Sequence, residues 1–140
     1  MLSLLKASLS PRAIQPLQIV VADDVAEIRQ LLRHWLGEQG HNITEAATGR
    51  EALRHVLAQP CDLIVTDILM PDGDGLDVII ALKRAKPGTR ILSISGGGKH
   101  MSADDALRLA RAIGADHLLL KPFTRKQLLD AVQRAVGRAS

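Results

Sequence analysis

The segment LQIVVADDVAEIRQLLRHWL, residues 17–36, decides the fold. Its first part, residues 17–22, is a continuous apolar run of strand length, and Asp23 and Asp24 follow it directly. Across residues 25–36 the apolar side chains recur at spacings of three and one, which is typical of a helix with one buried face. A strand that passes directly into such a helix is the repeating unit of an α/β protein.

The same alternation continues along the rest of the chain. Further runs of strand length are predicted at residues 42–46, 62–67, 90–95 and 117–121, the first of these being the weakest. Capping pairs predict three helix starts: Thr48 with Glu51, Thr124 with Gln127 and, more weakly, Ser102 with Asp105. Apolar strands that alternate with helices indicate a parallel sheet covered on both faces, so we predict an α/β fold of five βα units.

Length and composition indicate one domain. The chain has 140 residues, of which 46% are hydrophobic and 24% charged, enough for a single core. No apolar run approaches the roughly 18 residues of a membrane span. Residues 1–16 contain only short apolar patches and are interpreted as an N-terminal extension to a domain at residues 17–138. Cys61 is the single cysteine, for which we expect a buried thiol, and the predicted location is the cytoplasm.

Charge is distributed unevenly along the chain. Residues 1–82 carry 6 Lys and Arg against 11 Asp and Glu, whereas residues 83–140 carry 12 against 4. The basic part is either a set of solvated helix faces or a surface for an acidic protein partner. Nucleic acid is not the expected partner, because Trp35 and Phe123 are the only aromatic residues and offer no platform for stacked bases.

Polar residues close four of the five predicted strands. In an open doubly wound sheet, ligands bind outside the carboxyl ends of the strands. Those ends carry the Asp23-Asp24 pair, Asp67, Ser95 and Lys121. Converging carboxylates repel one another unless a cation lies between them, and all-oxygen ligands favour Mg²⁺. A lysine and a hydroxyl beside them suit a transferring phosphoryl group, so Asp67 is a candidate nucleophile that would form an aspartyl phosphate.

Each of these aspartates also has a purely structural interpretation. Asp24 is suited to cap the following helix, since Glu27 follows it by three residues. Asp67 is suited to a loop position before the turn-forming sequence PDGDG, residues 71–75. The combination of all four strand ends, rather than any one of them, favours the functional interpretation.

Four segments together resemble the receiver domain of two-component response regulators, over about residues 17–137. They are VVADDVAEIRQLL (20–32), DLIVTDILMPDGDGLDVI (62–79), ILSISG (91–96) and GADHLLLKPF (114–123). The resemblance implies a doubly wound (βα)₅, flavodoxin-like three-layer sandwich with a five-stranded parallel sheet in the order 2-1-3-4-5. It also implies a phospho-acceptor signalling module rather than an enzyme with a separate substrate.

The resemblance assigns roles to individual positions. Asp67 would be the phospho-acceptor, Lys121 the lysine that contacts the phosphoryl group, and Ser95 the switch hydroxyl. The remaining positions complete the magnesium and switch sites: Asp24, Asp67 and the main-chain carbonyl of Leu69 as Mg²⁺ ligands, Asp23 through water, Gly96 and Leu118 with Ser95 in the switch, and Pro122 after a cis peptide bond.

Three positions depart from the common pattern of that family. Leu118 stands where the switch often has an aromatic residue, and the sequence contains no tyrosine. His117 is a candidate substitute, although a partly exposed histidine at a strand end is the simpler interpretation. Leu69 is apolar where polar side chains often position the attacking water, so we expect a phosphoryl half-life longer than about a minute.

The loop SISGGGKHMS, residues 93–102, is rich in glycine but does not fit a nucleotide-binding P-loop. That motif needs a glycine five residues before its Gly-Lys pair and Ser or Thr after it, whereas Ser93 and His100 stand there. We interpret it as a phosphate-sensing loop in which Ser95 reaches the phosphoryl group. The backbone freedom of residues 96–98 would then replace the missing aromatic switch.

Three functions fit these observations. The first is a stand-alone receiver that accepts a phosphoryl group from a histidine kinase or phosphotransfer protein and signals through protein binding, with a homodimer allowed. Its output surface would be the basic face of the fourth helix, fifth strand and fifth helix, with Arg108, Arg111, Arg125, Lys126 and Arg134 favouring an acidic partner. The second is a phosphorelay shuttle. The third, a Mg²⁺-dependent phosphatase with an aspartate nucleophile, is disfavoured because Leu69 stands where its general acid is expected.

Overall fold

Strands and helices alternate along the whole described chain. The computed structural model describes residues 15–68, 70, 74–96 and 102–137. The strands are β1 (Gln18–Ala22), β2 (Asn42–Ala46), β3 (Leu63–Asp67), β4 (Arg90–Ser95) and β5 (His117–Leu120). The helices are α1 (Ala26–Gly37), α2 (Gly49–Ala58), α3 (Asp74–Ala85), α4 (Ala103–Ile113) and α5 (Arg125–Ala135).

The five strands form one parallel sheet in the order β2-β1-β3-β4-β5. The predicted fold class and strand order are therefore confirmed. β3 lies at the centre and all five of its residues are buried, as expected of a strand covered on both faces. β5 is one residue shorter than predicted because Lys121 already belongs to the turn that follows it.

Two hydrophobic cores lie on opposite faces of the sheet. On one face, α1 and α5 supply the buried residues Leu32, Leu36, Leu128 and Val132, and Trp35 meets Phe123 edge-on at 6.3 Å between ring centroids. On the other face, α2 and α3 supply Ala52, Val56, Val78, Ile79 and Leu82. These helices fix the sheet so that its carboxyl edge carries the candidate site.

Aspartate side chains fix the starts of two strands. Asp62 Oδ2 accepts a hydrogen bond of 2.7 Å from the N–H of Gln18, while the N–H of Asp62 donates to the carbonyl of Gln18. Asp116 makes the same pair of bonds with Ile91, at 2.8 Å for its side chain. Each aspartate thus extends the ladder by one residue and holds the strand register.

The predicted helix starts form with the expected side-chain caps. The hydroxyls of Thr48, Ser102 and Thr124 each accept the N–H three residues on. Only the pair of Thr124 with Gln127 closes a full capping box; the Glu51 carboxylate accepts from the N–H of Ala47 instead of Thr48. None of the helices in the described ranges combines the length and apolar character needed to cross a bilayer.

Cys61 is less buried than the sequence predicts. It is half-buried, and its thiol donates to the carbonyl of Leu63 at 3.3 Å. Burial raises the pKa of the thiol, which keeps it protonated and unreactive at neutral pH.

Candidate functional site

Three carboxylates meet at the carboxyl edge of the sheet. Asp23 and Asp24 follow β1, and Asp67 ends β3, the neighbouring strand. One oxygen from each carboxylate lies within 4.8 Å of the others. Asp23 is fully buried and Asp67 is 5% exposed, whereas Asp24 is open to solvent. The strand ends therefore bring together the acidic residues that the sequence singled out.

Lys121 joins two of these carboxylates. Its ammonium donates to Asp67 Oδ2 at 2.8 Å and to Asp23 Oδ2 at 2.9 Å. Burial by itself would lower the pKa of Lys121, but the hydrogen bonds and negative charges of Asp67 and Asp23 outweigh it and raise the pKa above 10.5. The lysine is therefore a fixed positive charge within the acidic pocket at neutral pH. The peptide bond between Lys121 and Pro122 is cis.

The structural interpretations of the aspartates do not hold. The cap residue of α1 is Val25, which makes no side-chain cap, so Asp24 is not a helix cap. It is Asp23 whose Oδ1 accepts a hydrogen bond of 2.9 Å from the N–H of Val25. Asp67 is the last residue of β3 rather than part of a loop.

Arg29 supports the pocket from behind, and sequence reasoning missed it. Its guanidinium donates to the main-chain carbonyl of Asp23 at 2.7 Å and pairs with the Glu45 carboxylate at 3.4 Å. Arg33 holds the same carboxylate at 3.0 Å. The only signal in the sequence is an arginine six residues after Asp23, which is too common a pattern to single out.

Ser95 ends β4, beside β3, and is fully buried. Its carbonyl accepts a hydrogen bond of 2.8 Å from the N–H of Lys121, which ties the end of β4 to the lysine. A Cβ added to the next residue, Gly96, would lie 3.8 Å from Lys121 Cδ, an ordinary van der Waals contact. Residues 97–101 of the predicted glycine loop lie outside the described residues, as does the carbonyl of Leu69.

Leu118 and His117 lie on opposite faces of the sheet. Ser95 pairs in register with Leu120, and Ser93 pairs with Leu118. Paired residues share a face and neighbours alternate, so Leu118 is on the face of Ser95 while His117 is on the other. The hypothesis that His117 replaces the aromatic switch residue is therefore wrong, and His117 is the partly exposed strand-end histidine of the simpler interpretation.

The pocket can hold a hard cation. Its ligands are carboxylate oxygens, and Asp24, the exposed member, gives access from solvent. Oxygen ligands of this kind suit Mg²⁺ or Ca²⁺, and the mixture of buried and open positions leaves room for phosphate oxygens or water.

Comparison with known proteins identifies relatives of the whole domain. The family "Response regulator receiver domain" matches residues 19–133. The chain is 36% identical over 119 residues to the DNA-binding transcriptional regulator NtrC of Azospirillum brasilense, covering 85% of this chain and 24% of that protein. It is 33% identical over 123 residues to the transcriptional regulatory protein ResD of Bacillus subtilis, covering 88% of this chain and 49% of that protein. The chain thus spans about a quarter of the length of the first relative and about half the length of the second.

A solved structure agrees with the fold over its entire length. The chemotaxis response regulator CheY4 of Vibrio cholerae has a TM-score of 0.76 at 29% identity, covering 86% of this chain and 99% of that one. The family match reaches from β1 into α5, so it includes residues of every strand and all the candidate site residues from Asp23 to Lys121. The chain therefore belongs to the response regulator receiver domain family.

Proposed function

We propose that Asp67 accepts a phosphoryl group from a histidine kinase or phosphotransfer protein, and that the phosphorylated chain signals through altered protein binding. The observation that carries this proposal is the lysine bridge: Lys121 Nζ lies 2.8 Å from Asp67 Oδ2 and 2.9 Å from Asp23 Oδ2. A nearly buried carboxylate with a cation already beside it is prepared for the extra negative charge of a phosphoryl group. A cytoplasmic location belongs to the same proposal.

The chemistry is a single displacement at phosphorus. A carboxylate oxygen of Asp67 forms the new O–P bond, the P–N bond of the donor phosphohistidine breaks, and its electron pair stays on the imidazole nitrogen. Lys121 would stabilise the phosphoryl oxygens as charge moves onto the new group. The hydroxyl of Ser95, at the end of the neighbouring strand, would donate to one of those oxygens and sense the modification.

Magnesium is the proposed cofactor. Asp24 and Asp67 would ligate it directly, Asp23 through water, and the carbonyl of Leu69 would complete the protein ligands. When bound, the ion would screen the carboxylates from an incoming phosphoryl group and neutralise its oxygens. Arg29 would keep the main chain at Asp23 in place for this role.

The proposed output surface is the face formed by α4, β5 and α5. Two of its basic residues have acidic neighbours: Arg108 lies 3.8 Å from Asp105, and Arg125 lies 3.4 Å from Glu38, the residue after α1. Among the described residues, no such ion pair occurs for the other three, Arg111, Lys126 and Arg134. The positive charge available to an acidic partner is therefore concentrated at these three residues rather than spread over all five.

Phosphotransfer from purified histidine kinases tests the proposal directly. Wild type should take up label from at least one kinase in the presence of Mg²⁺, and Asp67→Asn should take up none. Asp77→Asn, at an exposed aspartate on α3, is the matched control and should label like wild type. Equal labelling of wild type and Asp67→Asn would refute the proposal. Onward transfer of the label to a histidine of a second protein would identify a phosphorelay shuttle.

A further inference from the structure

The sheet has two open edges with different chemistry. β2 and β5 are its outermost strands, and no strand in the described part of the chain pairs beyond them. An open edge presents main-chain groups that can pair with another strand unless charge or cover prevents it. The protection of the two edges therefore decides where a strand can be added.

The edge at β2 is guarded. Glu45 within the strand is held by Arg29 and Arg33, and Gln59 of the segment after α2 donates to the hydroxyl of Thr44 at 3.4 Å. These groups place charge and side-chain contacts along the strand, and both discourage the pairing of a further strand.

The edge at β5 is not guarded in this way. The strand reads HLLL, has no Lys, Arg, Asp or Glu, and has a 41% exposed residue in Leu120. Ser95 of β4 is paired in register with Leu120, and the next residue, Lys121, donates its N–H to the Ser95 carbonyl. Since ladder bonds alternate in direction along a parallel strand, the main-chain groups of Leu118 and Leu120 point to the open edge.

A groove of about 370 Å³ runs along this edge between β5 and α5. Leu118, Leu120 and Pro122 form the apolar part of its lining, and His117, Arg134 and the acidic Asp130 belong to the polar part. Burial lowers the pKa of His117, and the positive charges of Arg134 and Arg111 lower it further, so both arginines lie close enough to act on His117. The groove is therefore largely apolar along the strand, and the two arginines that act on His117 outnumber its one carboxylate, Asp130.

We propose that the open edge of β5 binds an extended acidic segment of a partner protein as a sixth strand of the sheet. Main-chain groups of Leu118 and Leu120 would pair with the segment, an apolar side chain would lie beside Leu120, and acidic side chains would face Arg111 and Arg134. Its role as the output contact of the phosphorylated chain rests on the proposed function, whereas the binding site itself does not.

Charge favours an acidic partner over a second copy of this chain. A second copy paired through β5 would bring the same edge, with Arg111 and Arg134 beside it and a strand that has no Asp or Glu. It therefore offers these arginines fewer acidic groups than an acidic segment would. A segment rich in Asp or Glu would instead be attracted to these positive charges.

Selection from a phage-displayed library of random dodecapeptides tests the inference. The chain with its phosphoryl site occupied by beryllofluoride should select acidic peptides with an apolar residue, and a synthetic peptide of the consensus sequence serves as the probe. Leu120→Pro removes an N–H that points to the edge, and Leu120→Ala removes the same side chain but keeps that N–H. We expect Leu120→Pro to bind the peptide about tenfold more weakly than Leu120→Ala.

The charge requirement has its own matched pair. Arg134→Glu should weaken peptide binding at least about tenfold, while Arg84→Glu, at an exposed position on α3, should leave it within a factor of about two. Equal affinity of Leu120→Pro and Leu120→Ala, a non-acidic consensus or the absence of binders would overturn the inference. So would a wild-type dimer in sedimentation that Leu120→Pro converts to monomer, because a second copy would then occupy the edge.

The same measurements separate this inference from the proposed function. A chain that takes label at Asp67 but shows no difference between Leu120→Pro and Leu120→Ala keeps the proposed function and refutes the sixth strand. A chain that binds the peptide through β5 but takes no label from any kinase supports the sixth strand and refutes the proposed function.

Discussion

At the scale of a single residue, Ser93 carries a hydroxyl group whose hydrogen bonding is not satisfied within the described part of the chain. Its hydroxyl is fully buried and has no hydrogen-bond partner among the described residues. It lies on β4 between Thr66 of β3 and Leu118 of β5 in register. The hydroxyl of Thr66, in contrast, donates to the carbonyl of Asp67 at 3.2 Å. A buried hydroxyl without a partner costs about 1–3 kcal/mol.

Ser93→Ala should therefore raise the free energy of unfolding by about 1 kcal/mol, measured by urea denaturation. Thr66→Val, which removes a hydroxyl that does have a partner, should lower it. A destabilised Ser93→Ala would show that the hydroxyl is bonded in solution, for example to a buried water.

The acidic residues of the site and Lys121 could be predicted from the sequence because each stands at the end of an apolar strand or just after it. Strand ends on one edge of a parallel sheet must meet, so position along the chain was enough. Arg29 could not be predicted, because its target is a main-chain carbonyl that has no sequence signature. The pairing of Lys121 with both Asp23 and Asp67 also required the structure, since strand ends do not specify which side chains touch.

At the scale of elements, the start of β1 depends on a side-chain contact for which the sequence contains no recognisable motif. His41 is 6% exposed, and its Nδ1 accepts a hydrogen bond of 3.0 Å from the N–H of Leu17, just before β1. This bond requires an unprotonated Nδ1. Strands and helices themselves were predictable to within a residue or two, because apolar runs and helical spacing act locally. Side-chain contacts such as this one join segments that are distant in sequence, so they could not be predicted from local patterns.

The His41 bond predicts a dependence of stability on pH. Burial lowers the pKa of His41 below 6.5, so the unfolded chain binds a proton more readily than the folded chain. Stability should be complete above pH 6.5 and fall as the pH drops below it. His117, whose pKa is also lowered, contributes in the same direction.

His41→Asn isolates the first contribution, because an amide oxygen can take the place of Nδ1 without titrating. Urea denaturation at pH 7.5 and pH 5.5 should show a smaller loss of stability in His41→Asn than in wild type. An identical loss in both proteins would mean that His41 is not the titrating group.

For the whole molecule, the acidic pocket links metal binding to global stability. Asp23 and Asp24 come from the end of β1 and Asp67 from the end of β3, so an unfolded chain does not assemble the set. Mg²⁺ at ten times its dissociation constant should raise the free energy of unfolding by about 1.4 kcal/mol. Asp24→Asn should lose most of this effect, whereas the exposed control Asp77→Asn should keep it. An equal response of Asp24→Asn would place the ion elsewhere.

The lysine bridge has a consequence for the order of events during synthesis. Lys121 is 98 positions from Asp23 and 54 from Asp67 in the chain, yet it touches both carboxylates. A nascent chain on the ribosome can therefore assemble its acidic residues before their counterion has been translated. On the proposed function, the site would become competent for phosphorylation only after Lys121, the residue that follows the fifth strand, has been translated.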